Sequence, residues 1–117
     1  MQARVDIAAG VCGHMTSAHA VCGDMRHVSF SIETDCENVR RLAVALDAKG
    51  ELEAHPESSP RSENTVLAAA REVFCCPDCI VPPALLKGLR VAAGLARPED
   101  IAVALGVEEP GLALSRA

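Results

Sequence analysis

The sequence predicts an α+β fold, an antiparallel sheet of three to four strands with three helices packed on one face, and three observations carry that expectation. Apolar and polar residues alternate with period two in the first third of the chain. Apolar residues then recur at helical spacing, and the strand-like segments all precede the helical ones instead of alternating with them. Consecutive strands pair as antiparallel neighbours through short loops, and helices that follow them must cover the apolar face so formed.

Ala3 to Ala9 puts Ala3, Val5 and Ile7 on one face and Arg4 and Asp6 on the other, the pattern of a half-buried strand. Gly10-Val11-Cys12-Gly13 brackets a cysteine with glycines and reads as a turn. Met15 to Cys22 is a second strand built from small residues. Gly23-Asp24-Met25-Arg26 is expected to be a hairpin loop in which glycine supplies the positive φ. His27 to Thr34 alternates most strongly, with Val28, Phe30 and Ile32 inward and Ser29, Ser31 and Glu33 outward.

Thr34-Asp35-Cys36-Glu37 matches the capping box, in which the threonine hydroxyl takes an orphan amide and the glutamate reaches back to the cap. The helix it opens carries Val39, Leu42, Ala43 and Leu46 on one stripe and stops at Lys49-Gly50. Glu51 to Arg61, with Pro56, Ser58, Ser59 and Pro60, reads as a polar linker. Ser62 is the next cap candidate, and Val66, Ala69, Ala70 and Val73 form a stripe that runs until Cys75-Cys76-Pro77. Pro82-Pro83 suits the first turn of a third helix, with Leu85, Leu89 and Ala92 inward and a stop near Gly94. Ile101 to Val107 reads as a last strand or as a short helix opened by Pro98, and the strand is favoured. One domain is expected over residues 1–108, followed by a frayed tail over 109–117.

Composition narrows the function. Half of the residues are hydrophobic and 23% are charged, enough apolar surface to fold. The chain has no Trp, no Tyr and two Phe, so platforms for stacking on bases are missing, and its formal charge of −5 repels a polyanion. Nucleic acid is therefore not an expected partner. No stretch approaches the roughly 20 apolar residues that span a bilayer, and Arg4 and Asp6 stand where a signal peptide would be apolar. A soluble cytoplasmic protein is expected. In that reducing setting six cysteines read as ligands, catalytic thiols or core residues before they read as disulfides. No Ser/His/Asp signature or phosphate-binding glycine loop points to hydrolase or kinase chemistry.

Cys75-Cys76-Pro77-Asp78-Cys79 contains both Cys-x-x-Cys and Cys-x-x-x-Cys spacing in a turn between helices. Such a turn can aim two thiolates at one ion, each about 2.3 Å away, where a regular helix or strand would aim them apart. A closed site needs further ligands. Cys12, Cys22 and Cys36 all lie in or beside expected turns or element ends, and Cys22 alone also fits a core stripe. Cys36 in the first turn of its helix and Cys79 just ahead of the next would have thiolates stabilised by unpaired amides. The competing readings are thiol redox or sulfur transfer, with Cys36 or Cys79 as a low-pKa nucleophile that forms a transient disulfide with Cys76, and cysteines without function. His14, two residues after Cys12, is the best placed nitrogen ligand against a surface role. Asp24, Asp35 and Asp78 flank cysteines, and capping and turn formation explain them more cheaply.

Two resemblances bear on these residues. Cys22-Gly23-Asp24 ahead of the strand Val28 to Ile32, Thr34-Asp35-Cys36 opening a helix, and Cys79 opening another resemble the U-type iron–sulfur scaffold proteins over Ala20 to Gly94. That resemblance implies three cysteines around a nascent cluster or a zinc ion, with an aspartate nearby. The chain departs from the scaffold's glycine-rich segment at the second cysteine, where it has Thr-Asp-Cys-Glu. It also looks like a group of small uncharacterised prokaryotic proteins, through Val11-Cys12-Gly13, Asp35-Cys36, Cys79-Ile80-Val81-Pro82 and Val91-Ala92-Ala93-Gly94-Leu95. This second resemblance singles out Cys12, Cys36 and Cys79. With Cys76 as fourth ligand, the expected site is Cys12, Cys36, Cys76 and Cys79, holding zinc or an iron–sulfur cluster. The protein is then expected to be a scaffold or carrier and not an enzyme, whose partners would be proteins that donate or accept cluster or sulfur. Cys36 and Cys79, far apart in sequence, are expected to lie close together in the fold.

Overall fold

Three alternating segments in a row must share one buried face, and the computed structural model, which describes residues 1–8, 12–59, 64–76 and 78–108, shows how they do so. Strands β1 (Gln2–Ala8), β2 (Met15–Val21) and β3 (His27–Thr34) form an antiparallel meander. Its register aligns Ala3 with Ala20 and Phe30, Val5 with Ala18 and Ile32, and Ile7 with Thr16 and Thr34. These rows form the inner face, where Ala18 and Ala20 are fully buried. The expected strands match to within a residue at each end. Ala9, Gly10 and Val11 lie outside the described residues.

The β2–β3 turn differs from expectation in its chemistry. Met25, at φ 62, takes the left-handed place expected of Gly23. Asp24 Oδ1 accepts the N–H groups of Arg26 at 2.9 Å and His27 at 2.8 Å, and Oδ2 lies 2.7 Å from His27 Nδ1. An aspartate turn replaces the glycine turn.

Helix α1 (Glu37–Lys49) buries Val39, Leu42 and Leu46 and ends at Gly50, φ 73. The expected capping box does not form. Cys36 is the N-cap, in extended conformation, and no side chain caps the helix. Thr34 is still part of β3, where its Oγ1 accepts the Cys36 amide at 3.1 Å and meets Thr16 Oγ1 at 2.8 Å, and Glu37 pairs with Arg40 instead. Cross-strand pairing thus took the hydroxyl that capping needed.

The stretch expected as a linker contains β4 (Leu52–Glu53), paired with His27 and Val28, and a single-turn helix α2 (Ala54–Glu57). Two buried side chains, Leu52 and Ala54, were enough because β3 offered an open edge. Among the described residues, four helices therefore replace the expected three. Ser62 lies outside the described residues. The cap of α3 (Thr65–Glu72) is Asn64, whose Oδ1 accepts from Val66 and Leu67. Asn64 Nδ2 donates to the carbonyl of Glu57, and Glu57 Oε2 accepts from Thr65, which satisfies both buried polar side chains.

Helix α4 (Val81–Ala92) buries Leu85, Leu89 and Ala92. It crosses the sheet at Gly88, where an added Cβ would stand 2.5 Å from Val5 Cγ2. Helices α1 and α4 cover the sheet and α3 packs against both. The strand expected over Ile101 to Val107 is absent: the segment is irregular and exposed, and pairs with no edge of the sheet. The expected tail over 109–117 lies outside the described residues. Among the described residues, no helix is long and apolar enough to cross a membrane.

Candidate functional site

The register places Ala8, Met15 and Thr34 at the same end of the sheet. Cysteines collect at that end. Asp35 Oδ1 accepts the Met15 amide at 2.9 Å and lies 3.2 Å from His14 Nδ1, while the Asp35 amide donates to the Met15 carbonyl at 3.4 Å. This clamp between β2 and the start of α1 fixes Cys36 at the mouth of the helix. Cys12 lies on the turn leading into β2.

A second pair arrives from the end of α3. There the Cys75 amide donates to the Ala70 carbonyl at 3.0 Å and the Phe74 amide to that of Arg71 at 3.1 Å, the two bonds of a Schellman reversal. Phe74, at φ 58, holds the left-handed position usually given to glycine. The reversal turns Cys75 back onto α1, where its Sγ donates to the Asn38 carbonyl at 3.6 Å. Asn38 Nδ2 in turn donates to Cys76 Sγ at 3.9 Å, and Asn38 Oδ1 accepts from the Arg41 guanidinium. One asparagine thus touches two cysteines.

The turn to α4 supplies the last sulfur. It is drawn tight by the Cys79 amide donating to the Cys76 carbonyl at 3.0 Å. Ile80, at −77° and −15°, is the N-cap of α4 and makes no side-chain cap, and Cys79 stands one residue ahead of it, near the Val81 amide.

Electrostatics ties these groups together. Burial pushes the Cys79 thiol above the ordinary thiol range, and the negative charges of Cys36, Cys76 and Cys12 push it further, against the Val81 amide. Cys75 is raised by burial first and then by Cys79, Cys36 and Cys76, with Arg41 opposing. Cys12, Cys36, Cys75, Cys76 and Cys79 therefore share one electrostatic neighbourhood. Cys22 stands apart, buried at the far end of β2 with its Sγ 3.9 Å from Asp24 Oδ1. All six cysteines are thiols.

The sulfurs share a field without sharing a point. Among the described residues, no three His, Cys, Asp or Glu side chains are grouped so that they could hold one ion. In kind, a set of thiolates with nearby carboxylates engaged elsewhere suits zinc and iron–sulfur clusters. Cys12 and Cys76 are exposed, and Cys36, Cys75 and Cys79 half-buried.

All four sequence-expected ligands, Cys12, Cys36, Cys76 and Cys79, stand in this neighbourhood. Cys75 was passed over and stands there too, and so do Asn38 and Arg41. Asn38 and Arg41 carried one sequence signal, their i, i+3 spacing at the start of the helix that Cys36 opens. Of the histidines, His14 is held by Asp35, His27 pairs with Asp24 at the opposite end of the sheet, and His19 and His55 are exposed.

A family model described as "Family of unknown function (DUF6951)" matches residues 3–105. No curated protein and no solved structure matches the chain.

Proposed function

We propose that this chain, which belongs to that family of unknown function, is a carrier protein that takes up zinc or an iron–sulfur cluster on Cys12, Cys36, Cys76 and Cys79. The observation that supports this reading is the gathering of these cysteines with Cys75 at one end of the sheet, near enough that neighbouring thiolates add to burial in raising Cys75 and Cys79. Burial and the nearby thiolates disfavour the ionised forms of Cys75 and Cys79, and positive charge among the sulfurs would offset that. A bound metal would supply that charge and displace the thiol protons. Asn38 would orient Cys76 and brace Cys75, the Val81 amide would favour the Cys79 thiolate, and Arg41 would offset the negative charge of a thiolate-ligated cluster. Uptake would require the turn carrying Cys76 and Cys79 to close toward Cys36. The exposure of Cys12 and Cys76 leaves room for a partner protein that donates or receives cluster or sulfur.

The test is purification without oxygen followed by measurement of iron, sulfide and zinc. About one equivalent of zinc or of cluster per chain is expected, with a fall in melting temperature on chelation, because structural thiolate sites contribute folding free energy directly. Less than about a tenth of an equivalent of every metal overturns the reading.

The second reading is a thiol redox or sulfur-transfer protein in which Cys36 or Cys79 attacks and Cys76 resolves; the upward push on Cys79 by burial and neighbouring thiolates, only partly opposed by the Val81 amide, counts against Cys79 as the attacking thiol. Alkylation of the metal-free protein across pH distinguishes the two. Cys36 or Cys79 titrating below about 8.5 supports the redox reading, and slow uniform alkylation excludes it.

A further inference from the structure

We propose that residues 101–107 are an exchange strand, which adds to the free edge of β1 in a second copy of this chain. The segment Ile101-Ala102-Val103-Ala104-Leu105-Gly106-Val107 places every large apolar side chain on alternate positions, the period of a strand with one buried face. In the structure nothing covers that face: Val103, Leu105 and Val107 are 67%, 94% and 98% exposed. Isolated exposed apolar residues are ordinary, but a row of them at strand period on an unpaired segment is a strand without its sheet.

The sheet has the matching vacancy. In the order β1-β2-β3-β4, β1 is an edge strand, and its outward N–H and C=O groups form a template for another chain. Beside that edge runs a cleft of about 560 Å³ between β1 and α4, whose walls include Val5, Ile7, Ala84 and Val91. β1 has 7 residues, and the exchange segment has the same length, counted from 101 to 107.

Two features select a second copy and this edge. The chain's own Pro98, Glu99, Asp100 and Ile101 already line the cleft, so the residues beyond them emerge past it instead of folding back inside. Charge separates β1 from the other open edge: the segment is flanked by Asp100 and Glu108, the groove beside β3 offers Asp47 and Glu51 with no cation among the described residues of its lining, and the β1 cleft sets Lys87 and Arg4 against Asp6, Glu99 and Asp100. Exchange is reciprocal. Each copy fills the other's edge, so the assembly closes as a two-fold dimer and leaves no β1 edge open.

The experiment is light scattering and hydrogen exchange on the full chain, with reductant and chelator present so that neither disulfides nor metal can join copies. A mass of twice 12.2 kDa is expected, with the outward amides of β1 protected. Val103→Lys with Leu105→Lys, both on exposed positions, should halve the mass and expose those amides while leaving the circular dichroism spectrum unchanged. A wild-type monomer overturns the proposal, whether its β1 amides are protected by its own tail or left open. A dimer that survives the double substitution overturns it as well.

Discussion

Sulfur surroundings separate the two cysteines that a motif search treats alike. Cys22 is enclosed by the core, whereas Cys36 is half-buried among other thiols at the mouth of α1. Cys22→Ser puts a hydroxyl into an apolar site and is expected to cost about 1–3 kcal/mol of stability, with metal content per folded chain unchanged. Cys36→Ser is expected to do the reverse, leaving the melting temperature of the chelated protein near wild type while lowering metal content. Elemental analysis beside thermal melts checks both, and equal metal loss in the two variants would contradict the assignment. The Asp24 and His27 pair gives a pH signature at the β2–β3 turn. Hydrogen bonding to His27 and to two backbone amides holds Asp24 well below its ordinary 3.8, and the bond to Asp24 raises His27 above its ordinary 6.5. The lowered acid contributes stability above 3.8 that is lost as pH falls through its folded value. The raised base contributes stability below 6.5 that is lost as pH climbs through its folded value. Melting temperature is therefore expected to be highest from roughly pH 4 to 6.5 in metal-free protein, and Asp24→Asn should flatten that profile. Both groups are exposed, so salt should weaken the effect.

Helix α4 sits on the sheet because Gly88 lets it come close. Alanine there gains about 1 kcal/mol of helix propensity, yet its Cβ would stand 2.5 Å from Val5 Cγ2, on a β-branched side chain with little freedom to turn away. Overpacking of this kind costs about 1–3 kcal/mol, so Gly88→Ala is expected to destabilise by about 1 kcal/mol net. Adding Val5→Ala should recover part of that loss in denaturant melts, and a stabilising single substitution would show that helix and strand separate easily. Element ends were less legible than element cores. The stripes Val39, Leu42, Leu46 and Leu85, Leu89, Ala92 are buried as their spacing implies. The caps depended on competition: Thr34 went to Thr16, and Asn64 capped α3 while anchored to Glu57. A left-handed position went to Phe74 because the Schellman bonds of α3 hold it there, where a local rule would have looked for glycine.

At the scale of the molecule, alternation and helical spacing determined the antiparallel sheet and its helical cover, because burial of an apolar face depends on residue period, which any sequence displays. The same period was read at Ile101 to Val107, but a strand also needs a partner edge, and only the arrangement in space says whether one is present. Leu52 and Ala54 show the converse, as a polar stretch became β4 and α2 because β3 had an edge to offer. The sequence likewise marked Cys12, Cys36, Cys76 and Cys79 by their positions beside turns and helix ends. It could not say which sulfurs would share one field. Tertiary structure decided that Cys75 belongs with them, that Cys22 lies in the core at the other end of β2, and that Asn38 stands between α1 and the Cys75–Cys76 turn. Electrostatic coupling between thiols falls off with distance, and distance between residues far apart in sequence is set by packing alone.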